Sequence, residues 1–474
     1  MGFSEDFLQN DGESVYDESE LKEKINICKE HLENGTTIAA IDFLEETIEM
    51  CVDYDYVDDG LLLANAVLDI APYNSEVWHF KGILLNNSFI FDEAYHCFEK
   101  SLSLNPNDVE IYINKSIAED NLGMFDEAFN SLQKALELEP NNEEILFSLG
   151  VLYEKKEMFD EAINYLIKAL EIDPDYMEAL YEIGFCYENS DRLDEALQTY
   201  DKYLDLDPNS FTAWYNKGIV LVRAEKYEQS INCFELSIAL RDDFSSAWFN
   251  LGYALSRTNK TTEALNAYKK SYELDPTDET VLYNMGQIHE ENLEFNQAIK
   301  CYTEAVKLDS GYYEALLARG FCYDVIGKYR LALKDFNKAI SLTTNPEEAW
   351  IAKAELEYSI GQIQESIVSY RKTIELNVNN YDAWYKLAET YLEVGQWLEA
   401  IEAFDKCIAL REEDANPYYG KAKINFILSQ TQEAIDCLKK AFAIDPTTRS
   451  KFTHEYPEVK TSKLFIKLID ENKS

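Results

Sequence analysis

Seven of the ten prolines in this chain stand on one ruler. Pro72, Pro106, Pro140, Pro174 and Pro208 follow one another at steps of 34 residues, and Pro276 and Pro446 keep the same phase. A period of this length means one supersecondary unit repeated and stacked, each copy covering the apolar face of the last. A chain of 474 residues built this way needs no single central core, which a chain of that size could not fill. With Ser75 as position 1, units begin at 75 and every 34 residues thereafter to 415, eleven in all without insertion. They span 75–448, and a degenerate unit precedes them at 41–74.

Two columns of the repeat are always small. Position 8 holds Gly82, Ser116, Gly150, Gly184, Gly218, Gly252, Gly286, Gly320, Ala354, Ala388 and Ala422, and position 20 is Ala or Ser throughout. Glycine inside a helix costs roughly 0.5–1 kcal/mol relative to alanine, so close approach of two helices must offset it. Position 4 supplies bulk (Trp78, Tyr112, Trp214, Trp248, Trp350, Trp384) and position 24 is apolar in every unit. A knob beside a notch is what two tightly crossed helices require. The spacing predicts a first helix over positions 1–14 and a second over 18–30. Asp126, Asp160 and Asp194 at position 18 are expected to cap the second helix, with Phe125, Phe159 and Leu193 as staples before them. Proline at position 32 ends the second helix in six units. Where Asp242, Ser310, Thr344, Val378 or Glu412 stands instead, a later helix end is expected. Looser packing is expected where position 11 is polar, at Glu119, Glu357 and Asn425.

The strings TAWYNKG, SAWFNLG and FDEAINYLIKALEIDP resemble the tetratricopeptide repeat family closely. The resemblance covers 75–448 strongly and 41–74 weakly. It implies an all-α solenoid of about twelve helix pairs wound into a right-handed superhelix. Around the array, 1–20 reads as an acidic disordered segment, 21–40 as a leading helix and 449–474 as a C-terminal cap. In that cap Leu464, Phe465, Leu468 and Ile469 share one helical face.

Charge narrows the partners. There are 43 Lys and Arg against 89 Asp and Glu, a net charge of −46. Such a chain repels nucleic-acid phosphates and anionic membranes and attracts basic polypeptides. Its first twenty residues carry seven acids and no Lys or Arg, the reverse of a signal peptide, so a cytoplasmic location without membrane insertion is expected. Nine cysteines recur at packing columns: Cys97, Cys233, Cys301 and Cys437 at position 23, Cys186 and Cys322 at position 10. None forms a CxxC pair, and they read as small core residues. The histidines are scattered, and no phosphate-cradling or hydrolase motif is present. No catalytic, cofactor-binding or metal-ligating residue is assigned, and an enzyme is not expected.

In the family resembled, positions 2, 5, 6, 9, 12 and 13 of the first helix line a concave groove. Position 6 carries Asn114, Asn216, Asn250 and Asn284. A carboxamide both donates to and accepts from a peptide backbone, and the row resembles the asparagine ladder of O-linked N-acetylglucosamine transferases, whose catalytic domain this chain lacks. Position 5 carries Tyr181, Tyr215, Phe249 and Tyr283, rigid aromatics of the kind enriched at interfaces. Position 12 carries Glu154, Glu188, Glu290 and Asp324. These residues form the candidate groove for an extended, basic polypeptide. No lysine stands at position 5, so the carboxylate clamp of co-chaperone repeats is absent. Two other readings remain: a structural solenoid that self-associates or docks a folded partner on its convex face or ends, and a subunit that presents substrates to an enzyme.

Overall fold

A computed structural model describes residues 18–456. The described residues form twenty-six α-helices and one 3-10 turn, Thr37–Ala40, without a strand. They divide into two bodies. The first runs from α1 (Glu18–Glu33) to α13 (Tyr227–Leu240), and the second from α14 (Ser245–Arg257) to α26 (Thr447–Glu455). Each is a stack of antiparallel helix pairs in the 34-residue phase, as expected of an all-α solenoid. The expected amphipathic cap at 463–470 lies outside the described residues.

Within a repeat the first helix covers positions 1–13, as in α6 (Val109–Asn121) and α12 (Phe211–Arg223). The second covers positions 17–30, as in α7 (Phe125–Leu138). The side-chain caps are not where the sequence placed them. Asp126, Asp160 and Asp194 lie inside the first turn, behind N-caps Met124, Met158 and Arg192 that give no side-chain bond. There the carboxylates oppose the positive end of the helix dipole instead. True caps sit at the last position of the preceding repeat and serve the first helices. Asn74 Oδ1 accepts from the Val77 amide at 3.1 Å, and Ser210 Oγ from the Ala213 amide at 3.2 Å.

Helix ends are also more uniform than the prolines suggested. Second helices end at position 30 with proline (Leu138, Leu206) and without it (Leu240, Leu308, Leu342, Leu376, Leu410). Position 31 is extended with proline next to it at Asp173 and without it at Arg241 and Asn377, so the proline is not required for the end. The turn between the two helices of a pair is fixed by backbone at position 15, which is left-handed in every repeat. Gly123, Gly327, Gly361 and Gly395 fill it in four, while Phe89 (φ 59°), Leu293 (φ 61°) and others carry the strain of a side chain there.

Position 8 and position 24 meet inside each pair. A Cβ on Gly218 would stand 2.5 Å from Phe234 Cε1, and one on Gly286 2.4 Å from Tyr302 Cε1. Phe234, Tyr302, Tyr200, Tyr268 and Phe336 are fully buried as a result. The polar residues of position 11 are not loosely packed. Glu119 is 1% exposed and Glu357 5%, and each finds a hydroxyl at position 23 of its own pair. Ser131 Oγ donates to Glu119 at 2.7 Å, and Ser369 Oγ to Glu357 at 2.6 Å. Lys115 and Lys353, one turn earlier, add charge to each. In the repeat at 313 the buried polar pair is a two-pronged ion pair. Arg319 donates Nε and Nη2 to the two oxygens of Asp335 at 2.7 and 2.8 Å.

Three stability outcomes follow. Gly218→Ala is expected to lose about 1–3 kcal/mol by overpacking Phe234, read as a lower melting temperature; an unchanged value would remove the notch as a constraint. Leu293→Gly is expected to gain about 1 kcal/mol, because its side chain is 73% exposed and has little packing to lose. Asp335→Ala strands a buried guanidinium and is expected to cost about 3–5 kcal/mol in urea unfolding, more than Asp335→Asn.

Candidate functional site

Successive first helices approach one another along each body, among them α6 with α8 (Glu143–Glu154) and α8 with α10 (Met177–Asn189). From α3 (Val57–Ile70) onward no two successive second helices come as close. The first helices therefore form the tighter, inner layer of each body. Their positions 2, 5, 6, 9, 12 and 13 carry the candidate residues of this inner face, and positions 5 and 12 also reach the second helix of their own pair.

In the first body the face carries Asn114, Tyr181, Asn216, Tyr215, Glu154 and Glu188. Asn114 Nδ2 donates to the Glu110 carbonyl and approaches His79 Nε2, both at 3.1 Å. Burial pushes the His79 pKa down, so its neutral ring nitrogen accepts. Asn216 Nδ2 donates to the Tyr181 hydroxyl at 2.8 Å, tying one repeat to the next. Tyr181 and Tyr215 pack on the position-24 rings of their own pairs, Tyr200 and Phe234, with centroids 6.3 and 6.0 Å away. Position 5 is thus part core and part face. Glu188 is half-buried with Arg223 Nη1 3.6 Å from its carboxylate and 2.7 Å from its carbonyl. Burial raises its pKa, against the pull of Arg223. A cavity of about 540 Å³ opens beside Asn114, walled by Ile117, Phe147, Val151 and Tyr176. Phe89, 78% exposed at its left-handed turn, stands at the rim.

In the second body Asn250 and Asn284 stand on consecutive repeats, and each donates Nδ2 to the carbonyl four residues back, Ser246 at 2.9 Å and Thr280 at 2.8 Å. Phe249 lies 5.5 Å from the Tyr268 ring and Tyr283 5.7 Å from that of Tyr302. Glu290 Oε2 accepts from the Tyr302 hydroxyl at 2.7 Å. Asp324 is half-buried, and burial raises its pKa. Tyr283 and Glu290 share a cavity of about 400 Å³ with Glu291, Tyr313, Glu314, Phe321 and Glu348. Its lining holds four carboxylates and several aromatic faces, and neither Lys nor Arg.

Several residues of these cavities were not singled out from the sequence: Glu291 and Lys155 at position 13, Phe321 and Val151 at position 9, and Glu348 at position 2 of the next repeat but one. Their phase was available, yet a cavity depends on which neighbours leave room. Glu182 was missed for another reason: it occupies position 6, where asparagine was the pattern. All nine cysteines are free, seven of them buried. Burial holds thiols such as Cys186 and Cys322 above their ordinary pKa, protonated and weakly nucleophilic. Among the described residues no group of His, Cys, Asp or Glu is arranged to hold a metal ion, and no helix is long and apolar enough to cross a membrane.

Family models agree with this architecture. Models described as tetratricopeptide repeat match 155–217, 215–279 and 279–312, and one described as TPR repeat matches 121–157. A model for anaphase-promoting complex, cyclosome, subunit 3 matches 359–441. No curated protein matches the chain. Among solved structures, MamA aligns at 27% identity and TM-score 0.33 over 35% of this chain and 97% of its own. YrrB, described as a TPR protein with an unusual peptide-binding site, aligns at 21% and 0.35 over 38% and 94%. The APC/C hetero-tetramer Cut9–Hcn1 aligns at 16% and 0.36 over 93% and 98%. Repeat-model matches in the phase of the prolines, on helix pairs closed by a small residue against a ring, make this chain a member of the tetratricopeptide repeat family.

Proposed function

We propose that this protein is a non-catalytic scaffold that holds an extended, basic polypeptide segment against the inner face of its first helices. The observation that carries the reading is the cavity at Tyr283. Carboxylates of Glu290, Glu291, Glu314 and Glu348 converge on it beside the rings of Tyr313 and Phe321, with no lysine or arginine in the lining. A lysine or arginine side chain gains there from both charge and ring faces. The same surface repels phosphate and favours encounter with basic chains.

In this reading the asparagines grip the backbone. Asn250 and Asn284 each donate one N–H to their own helices, which orients each carboxamide toward the inner face. Aromatics at position 5 are held by the core behind them, so they offer contact area with little entropy left to lose. Nine cysteines without a disulfide suit a reducing compartment, and a cytoplasmic setting belongs to the same proposal.

The test compares capture from native lysate by the wild-type chain, by Asn216→Ala/Asn250→Ala/Asn284→Ala and by Glu290→Gln/Glu314→Gln/Glu348→Gln, with circular dichroism on each. Partners rich in basic, extended segments are expected with wild type and lost from both variants, whose helicity is unchanged. The same partners retained by both variants would place binding elsewhere and overturn the reading.

A further inference from the structure

The first body contains a second acidic feature, of a different kind from the open cavity at Tyr283. Glu154 closes α8 at position 12, and Glu182 stands at position 6 of α10, on the next first helix. Their carboxyl groups lie within hydrogen-bonding reach of each other. Glu154 is only 5% exposed, and its Oε2 is buried without a hydrogen-bond partner. Among the described residues no lysine or arginine forms an ion pair with it. Lys155, its neighbour in sequence, turns the other way to Asp120 at 2.7 Å. Glu182 is half-buried and stands at position 6, one of the inner-face positions.

A buried carboxylate oxygen with no donor is costly, because it has given up water and received nothing in return. Elsewhere in this protein buried acids are answered: Glu119 and Glu357 by a hydroxyl and a lysine, Asp335 by a two-pronged arginine. At the Glu154–Glu182 junction no hydroxyl, lysine or arginine among the described residues donates to the buried Glu154 oxygen. In the free protein the pair answers itself in part by holding a proton. Burial, and then the neighbouring Glu154, push the Glu182 pKa well above the ordinary carboxylate range.

We propose that the Glu154–Glu182 pair is the seat of one cationic side chain, lysine or arginine, from the extended segment bound on the first body. The proposal rests on the groove reading above and adds a named subsite to it. An ammonium or guanidinium group donates to the oxygen that the protein leaves bare and bridges both carboxylates. Entry of the cation releases the shared proton, so binding there tightens as pH rises through the pair's raised pKa. The other titratable groups near the pair are Tyr181 and Cys186 on α10, Tyr200 on α11 (Leu193–Leu206), and Lys155 just past the end of α8, whose charge acts on Glu154 while its ammonium is bonded to Asp120. Burial raises the two tyrosines and the cysteine above their ordinary values, so they stay neutral near pH 7 and the pair supplies the pH dependence.

The probe is a fluorescein-labelled peptide of alternating lysine and glycine, set against the same peptide with every lysine acetylated. Anisotropy titrations use the full chain at near-physiological salt, where distant charges are screened within about 8 Å. Glu154→Gln/Glu182→Gln is expected to weaken the lysine peptide about tenfold, the scale of one charge-assisted hydrogen bond, and to leave the acetylated peptide unaffected. Its lysine-peptide affinity should also lose the rise with pH. Glu171→Gln/Asp205→Asn removes at least as much negative charge from exposed second-helix sites of the same body and is expected to change affinity about twofold or less. Melting curves establish that each variant is folded, and a single Glu182→Gln, isosteric with the protonated acid, serves if the double variant is not. Equal loss in both double variants, or no loss at the pair, overturns the subsite. If the pair variant binds as wild type while Asn216→Ala still loses the peptide, the subsite fails and the groove reading stands. If no inner-face variant affects either peptide, both fail together.

Discussion

In seven of the eleven repeats the helix pair closes on a contact too close for a methyl group. Position 8 of each first helix lies against the ring or branched side chain at position 24 of its partner, and where position 8 is glycine no Cβ fits without something moving. That contact fixes how near the two helices of a pair come and so the crossing they adopt. Gly420 shows the same device between pairs: a Cβ there would stand 2.3 Å from Phe404 of the preceding repeat. The geometry of one pair is thereby passed to the next, and the inner face is a consequence of it. Glycine's helix penalty is offset many times over by the rings it lets in, since each buried aromatic removes a large apolar area from water.

The polar interior follows a second rule, that a buried charge is tolerated only when answered. Glu119, Glu357 and Asp335 lie on or against second helices and each has donors within its own pair. Such pairs hold register without exposing anything. The inner face treats acids differently. Glu290 keeps one oxygen on the Tyr302 hydroxyl and turns toward an acid-lined cavity, while Glu154 keeps an oxygen with no donor at all. The acids inside the pairs are satisfied, whereas one oxygen of Glu154 on the inner face is not.

Much of the fold was legible because periodicity survives translation into structure. A helix pair repeats its contacts every 34 residues, so columns of the sequence are columns of the core, and Gly184, Tyr200 and Cys186 fell where their columns said. What misled was local reasoning at the edges of elements. Asp126 and Asp160 look like caps by residue type, yet the turn at position 15 starts the second helix one residue earlier and puts them inside it. Missing prolines suggested longer helices, but Arg241 and Asn377 leave the helix just past Leu240 and Leu376 as the proline-flanked repeats do. Polar residues in an apolar column suggested loose packing, because a single column does not show its partner: Glu119 is explained only beside Ser131.

The sequence by itself determined the helix pair, its period, the small-against-large contact that closes it and the acidic character of the whole chain, since each of these depends on residues near one another in the repeat. Tertiary structure decided which acids are answered and which are not. Glu154 and Glu357 are alike as letters, and both are buried. One faces a hydroxyl and a lysine, the other a second carboxyl group on the neighbouring helix. That difference arises from side chains of separate elements meeting in space, where burial removes the water that would otherwise make all carboxylates equal.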